Sequence, residues 1–484
     1  MLVVYSEWSE RSNALTVGQA ASAWPNSAAC KPAKERSSGH GDGAAMMVTS
    51  AGQSGAQQGK MAATIFISAG EASGEHYGAL LIAALQEQLA AAGQAASFFG
   101  MGGARMAASG LECVVRSEEM AVMGLTEVVR HLPRIWREFQ RLKQAVRTRP
   151  PSVAVLIDFP EIHFRLAKEL HRLGVPVIFF VSPQLWAWKK KRIRLVQEYI
   201  DRMLVIFPFE EPFYRERGVE AEFVGHPLAE LAAPAVSRSE FAAANGLNPA
   251  KTWIGLLPGS RAKEIRDHLP EMLRAARELA AHARGATDGG MEFIVPLAPT
   301  LNEAQRDEVR QMVEAHAGGL TLRLIDDLGA EGAAGPTAGV AGGAIGLTAA
   351  GARAVLFHAR ASVVASGTAT VEAALIGNPF VVVYRVSPLT YAIARRLVKV
   401  PHVAMVNLIA GKRVVPELIQ SDFTAENIVR EIERLIPDSP PRQSMMEELA
   451  RIHDLLQTGR GEGDAGAAIA RVAAITLETM SRTG

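Results

Sequence analysis

Val363–Tyr384, VVASGTATVEAALIGNPFVVVY, is the stretch whose reading decides the fold. A short apolar run breaks at Ser366-Gly367-Thr368, a helix-like segment follows, a second break falls at Gly377-Asn378-Pro379, and a β-branched run closes it. The order is strand, turn, helix, turn, strand. In such a unit the small polar break lies where a parallel strand ends and a helix begins. The unpaired N–H groups and the positive dipole end there suit a phosphate. Gly367 lets a ligand come close to the backbone, and Ser366 and Thr368 add hydroxyl donors. Glu372, about one turn into the helix, is placed to accept ribose hydroxyls. The same residues also describe an ordinary βαβ unit with a Ser/Thr cap and a solvated Glu.

Outward from this unit the pattern repeats. Strands are expected at Thr64–Ser68, Ser97–Gly100, Val153–Asp158, Val175–Val181 and Met203–Phe207, and again at Trp253–Leu257, Glu292–Pro296, Leu320–Asp326, Ser362–Ala365 and Phe380–Tyr384. Continuous apolar strands alternating with helices mean parallel sheets covered on both faces. The restart after the linker-like Asn245–Lys251 divides the chain into two Rossmann-like α/β domains facing a cleft, over residues 61–245 and 246–435. In such sheets ligands bind beyond the carboxyl ends of the strands. Residues 436–484 read as C-terminal helices, with an apolar stripe of Met446, Leu449, Ile452 and Leu456 that covers core or a second subunit. Residues 1–60, rich in Ala, Ser and Gly, read as a disordered extension preceding a start at Met61. Gly329–Ala350 reads as a low-complexity surface insertion.

Composition narrows the function. The chain has 484 residues, of which 48% are hydrophobic and 21% charged, which calls for two globular cores. A net charge of +1 gives no general case for nucleic acid. The two cysteines, Cys30 and Cys113, build no disulfide framework. No apolar run is long enough to span a bilayer, and no HExxH or Cys/His cluster suggests a metal.

Several residues carry chemistry. Arg261 follows the turn Pro258-Gly259-Ser260 at a strand end, where a guanidinium clamps a diphosphate; the plainer role is a surface pair with Glu264. Asp158 ends an apolar strand before Pro160, as a candidate general base or a turn former. The glycine turn Ala69–Glu75, with Ser73 and Gly74, ends in Glu75-His76, a rival acid/base pair. His163 and His226 read more readily as structural histidines. Val128–Val146 has helical apolar spacing that includes Ile135, Trp136 and Phe139, with Pro133 in the first turn of the helix proper. From Arg130 to Arg149 it carries seven Lys/Arg and one Glu. It reads as a membrane-surface helix or as a packed helix with a solvated face. Trp186–Arg192, WAWKKKR, sets aromatics beside cations, as anionic headgroups favour.

The stretches SAGEASGEHYGALL, EEMAVMGLTEV, VLIDFPE, VSPQLWAWKKKRI, FPFEEPFY, FVGHPL, LLPGSRAKEI, ASGTATVEAALIGNPFVVVYR, SPLTYAIARRLVKVPH and NLIAGKRVVPELIQ, in this order, resemble the lipid-A-disaccharide synthase family. The resemblance runs from Thr64 to Gln420. It implies a GT-B fold and an inverting glycosyltransferase of lipid A biosynthesis that moves 2,3-diacylglucosamine from its UDP derivative to 2,3-diacylglucosamine 1-phosphate. The products are the β-1,6-linked disaccharide 1-phosphate and UDP. No cofactor is implied, since the UDP-sugar is a substrate. Asp158 matches the family's essential aspartate and Arg261 its essential arginine. The SGTAT turn and Glu372 match the phosphate and ribose contacts, and Asn407 matches a further position near the nucleotide. The resemblance also implies a peripheral enzyme on the inner face of the cytoplasmic membrane, bound to its anionic surface, with tail helices exchanged in a homodimer. The chain departs from the family where Glu75 replaces Asp, and where Glu161 and His163 stand in a D-x-P-D-F-N motif.

Other readings are another UDP-sugar GT-B enzyme, of the peptidoglycan N-acetylglucosaminyltransferase or UDP-sugar 2-epimerase kind, and a non-catalytic nucleotide- or lipid-binding protein. WAWKKKR and FPFEEPFY argue against the first. No G-x-G-x-x-G follows the first strand, which disfavours a nicotinamide oxidoreductase.

Overall fold

Apolar runs of four to seven residues become the central strands of two parallel sheets. The computed structural model describes residues 63–120, 125–187, 190–231, 233–283, 290–326, 351–397, 400–457 and 467–483. The extension 1–60, the insertion Gly329–Ala350, and Trp188 and Lys189 lie outside the described residues.

The first sheet holds β1 (Ala63–Ala69), β2 (Ala96–Gly102), β3 (Leu111–Arg116), β4 (Val153–Ile157), β5 (Val177–Phe180), β6 (Arg202–Val205) and β7 (Ala221–Phe223), in the order β3-β2-β1-β4-β5-β6-β7. The second holds β8 (Thr252–Leu257), β9 (Met291–Leu297), β10 (Leu322–Asp326), β11 (Ala361–Ala365), β12 (Phe380–Tyr384) and β13 (Glu417–Ile419), in the order β10-β9-β8-β11-β12-β13. Every pairing is parallel. In each sheet the order reverses beside its first strand, between β1 and β4 and between β8 and β11. These switch points open crevices at the strands' carboxyl ends. β4 and β11 are buried at every residue, as sheets covered on both faces require. The strands β3, β7 and β13 are not expected from sequence; each carries a charge, Glu112, Glu222 or Glu417, that interrupts its apolar run.

Three helices differ from expectation. α1 (Ala72–Ala91) begins one residue after its N-cap Glu71, so Ser73, Gly74 and Glu75 form its first turn and not a glycine loop. α2 (Ala104–Ala108) follows β2. α3 (Leu125–Thr148) contains Pro133 in its interior and not in its first turn. On α3, Ile135 is 9% and Phe139 5% exposed, both packed into the core under the first sheet, whereas Trp136 is 56% exposed. Ile135 and Phe139 therefore do not face a membrane; the basic outer face of α3 carries Arg137 and Arg141 beside Trp136.

The helix Arg238–Asn245, expected within the first domain, packs Phe241 against Trp253 of β8 and so belongs with the second sheet. The tail visits both halves. α9 (Pro440–Leu456) buries Leu449, Ile452 and Leu456, leaves Met446 exposed, and packs on α7 (Thr368–Ile376). α10 (Ala467–Thr483) packs on α1. The Leu456 carbonyl accepts from His226 N at 2.8 Å and the Glu230 carboxylate from Ala468 N at 2.6 Å, so the end of α9 and the start of α10 are both pinned to residues 226–230.

Candidate active site

β4 ends in a strained turn. Asp158 and Phe159 both adopt left-handed backbone, φ 50° and 52°, which non-glycine residues hold only when the surroundings impose it. Three contacts impose it here. Asp158 N donates to Phe180 O at 2.9 Å. Pro160 opens α4 (Pro160–Arg172) at its first position. The ring of the fully buried His163 lies between the Asp158 carbonyl and the Ser68 hydroxyl. A carbonyl only accepts, so Nδ1 carries the proton and Nε2 accepts from Ser68 at 2.8 Å. Burial pulls His163 down to about 4 and keeps it neutral. His163 therefore serves the backbone of the turn, which answers what a histidine does in place of the family's Asn. The Phe159 ring lies over Gly70, where an added Cβ would come within 2.3 Å of it. Glu161 makes a bidentate pair with Arg192, at 2.8 and 2.7 Å, and ties the WAWKKKR segment to this turn.

The Asp158 carboxyl is pushed up to about 7, first by burial and then by the charges of Glu71 and Glu210. Glu71 is exposed, and its carboxylate lies 3.9 Å from Arg261 Nη2 of the second half. Tyr77 is buried on α1, and its hydroxyl is raised by burial and by the charges of both Glu372 and Asp158. One phenol thus senses carboxylates from both sheets, so the two strand ends line one gap. α5 (Glu210–Arg215) brings Glu210, and a stacked pair, Phe207 and Phe209 at 5.8 Å, stands beside Trp186.

The opposite wall is cationic and rich in N–H groups. After β8, Gly259 takes φ 126°, and a Cβ there would strike the Glu264 carboxylate at 2.7 Å. Ser260 O accepts from Thr300 Oγ1 at 2.7 Å, and His268 holds Pro258 O at 2.8 Å, so the turn is fixed from two sides. Arg261 begins the approach to α6 (Ala262–Ala283), is 29% exposed, and pairs with Glu264 at 2.9 Å. The expected pair with Glu264 thus coexists with a position in the gap next to Glu71. After β11, Gly367 caps α7 without a side-chain hydrogen bond, having no side chain, and Thr370 Oγ1 donates back to Gly367 O at 2.7 Å. Nothing stands within 4 Å of a Cβ placed on Gly367. The first turn of α7, with Ser366 and Thr368 beside it, offers backbone donors to an anion. Glu372 is one turn on, with Arg353 Nη1 at 3.8 Å.

Other expected residues do different work. The Glu75 carboxylate accepts from Arg105 N at 2.9 Å and so holds the first turn of α2. Gly74 packs α1 against Ile157 and Ala69, and Ser73 lies in the same helical turn. Asn407, on α8 (Met405–Ala410), is 0% exposed; its Oδ1 accepts from Val414 N and Val415 N, and its Nδ2 donates to Val415 O and Glu417. Its side-chain hydrogen bonds hold the loop before β13 and Glu417 of that strand, so Asn407 shapes this region through the backbone it fixes. Glu71, Tyr77 and Glu210 were missed, although Glu71 stands in the quoted AGEASGE and Glu210 in FPFEE. Among the described residues no group of three or more His, Cys, Asp or Glu side chains is placed to hold a metal ion, and no helix is long and apolar enough to cross a membrane.

Comparison with known proteins separates fold from chemistry. The chain is similar in fold to a putative UDP-N-acetylglucosamine 2-epimerase from Listeria monocytogenes, with TM-score 0.53 and 13% identity over 86% of this chain and 96% of that one. It is equally similar to the glycotransferase of kitacinnamycin, with TM-score 0.53 and 15% identity over 87% of this chain and 99% of that one. These two neighbours bear different activities, so they show the two-sheet GT-B fold alone. In sequence, the family described as Lipid-A-disaccharide synthetase matches residues 65–322 and 346–469. The lipid-A-disaccharide synthase of Acidobacterium capsulatum is 58% identical over 87% of this chain and 97% of its own.

Proposed function

This chain belongs to the lipid-A-disaccharide synthase family, and from that premise we propose how its gap joins two acylated sugars. The chain is a glycosyltransferase of lipid A biosynthesis. Its donor is UDP-2,3-diacylglucosamine and its acceptor 2,3-diacylglucosamine 1-phosphate. Arg261, the turn Gly259-Ser260 and the N-terminus of α7 at Ser366, Gly367 and Thr368 receive the diphosphate, where fixed donors stabilise the charge that develops on departure. Glu372 receives the ribose.

Asp158 takes the proton from the acceptor's 6-hydroxyl. The oxygen forms its bond to the donor's anomeric carbon as the bond from that carbon to the diphosphate breaks, and UDP leaves with the electron pair. One displacement inverts the centre and needs no covalent intermediate. The observation that carries this reading is that Glu71 stands between the two walls, its charge raising Asp158 and its carboxylate 3.9 Å from the Arg261 guanidinium. A base raised to about 7 is half ionised near neutrality, where general bases are most useful.

The acylated substrates reach this gap from a membrane. Trp136 and the exposed arginines of α3 supply an apolar anchor and cations for the anionic inner face of the cytoplasmic membrane. α10, which packs on α1 of its own chain here, is the segment a homodimer would exchange. The direct test is incubation with donor and acceptor, following UDP and the disaccharide together; folded protein that yields neither rejects the reading. UDP without disaccharide would instead support an epimerase-like or hydrolytic site.

A further inference from the structure

Glu210 is a buried carboxylate, 1% exposed, in the first turn of α5. Three donors converge on it: Ser182 Oγ at 2.6 Å, Trp186 Nε1 at 3.1 Å and Phe207 N at 3.2 Å. All three are neutral, and among the described residues no Lys or Arg makes an ion pair with it. Ser182 lies just beyond β5 and Phe207 just beyond β6, the two strands next along the sheet from β4 and Asp158. The turn around Asp158 is already tied to β5 through Asp158 N and Phe180 O. A cap for these donors needs no charge, and a buried charge without a counter-cation is costly. Such groups persist mainly where chemistry uses them.

We propose that Glu210 is a positioning residue for the transfer: it gathers Ser182, Trp186 and Phe207 into a dry wall on the acceptor side of the gap and sets a second acid near Asp158. This rests on the reading of Asp158 as the base. The groups that face Asp158 are Glu71 before α1, Tyr77 on α1, the neutral His163 ring on α4 against its carbonyl, and Glu210 on α5. Burial and Glu71 raise the proton affinity of Asp158 most, and Glu210 adds to them. Burial also raises Glu210 itself to about 7, with hydrogen bonds from Ser182, Trp186 and the backbone of Phe207 and Ile206 opposing the rise. The two acids therefore titrate as a pair.

The test is the pH profile of kcat for Glu210→Gln, measured beside wild type and Asp158→Asn. Removing the negative neighbour makes Asp158 easier to ionise, so the acid limb should move down by roughly half a pH unit. The plateau kcat should fall about tenfold through loosened geometry, while KM for the UDP-sugar stays within about twofold because the donor wall is untouched. An unmoved limb with an inactive Asp158→Asn overturns the role of Glu210 and leaves the base in place. Full turnover by Asp158→Asn overturns the base reading itself. If Glu210→Gln does not fold, Ser182→Ala serves instead. Losing that donor lets Glu210 hold its proton to higher pH, so the limb should again move down, and an unmoved limb overturns the proposal.

Discussion

The strand ends after β4 and β11 occupy equivalent places in two sheets of the same order, yet they are built oppositely. After β4 the chain turns through two left-handed residues, is held by a buried neutral histidine, and aims an acid at other acids. After β11 it turns through an open glycine into a helix N-terminus that no side chain caps, with a guanidinium on the adjacent turn after β8. A shared architecture thus supplies one wall that holds a proton and one wall that holds an anion. The difference comes from side chains at two turns, with the strand order unchanged.

The largest effect that would break this contrast is on turnover. Asp158→Asn should lower kcat by about a thousandfold or more while UDP binding stays within a few fold; near-normal kcat would remove the first wall's role. Arg261→Ala should weaken UDP about a hundredfold and uridine hardly at all, as expected of a lost charge-assisted contact to the diphosphate. Equal losses for the two ligands, measured by calorimetry, would place Arg261 elsewhere.

A second comparison lies within α3. Phe139→Ser should cost about 3 kcal/mol of stability, by loss of a buried aromatic and exposure of a hydroxyl to the core. Trp136→Ser should leave the melting temperature unchanged and lower sedimentation with anionic liposomes. A stability loss at Trp136 equal to that at Phe139 would merge the two faces.

The smallest effect sharpens the contrast through pH. The folded Asp158 binds its proton up to about 7 against 3.8 for an ordinary aspartate, so the folded state holds more protons than the unfolded one between these values. Stability contributed at this site therefore falls as pH rises through that window, and the penalty is complete above it. Asp158→Asn should raise the melting temperature by about 2 °C near pH 8 and not at about pH 4, below the folded value. A rise at both would mean that the gain is not electrostatic.

Much of this was legible in the chain. Buried parallel strands advertise themselves as uninterrupted apolar runs, and turns after them as Ser-Gly-Thr or Pro-Gly-Ser; Asp158 was found as the strand end before Pro160 and Arg261 by the Pro-Gly-Ser turn. What misled were residues whose side chains have two plausible employments. Glu75 caps a helix thirty residues away, which local spacing cannot reveal. Asn407 is spent on a loop that follows it, and the basic stretch around Trp136 hides which of its apolar residues face inward. Glu210 was overlooked because a glutamate in FPFEEPFY looks solvated until burial is known.

Order along the chain and the period of apolar residues were enough to determine two α/β units, their turns, and the kinship of the motifs, because these depend on neighbours in sequence. Only the tertiary structure decided which carboxylates share a dry gap, which are spent as caps, and which arginine faces them. Those outcomes depend on distance and desolvation between residues far apart along the chain.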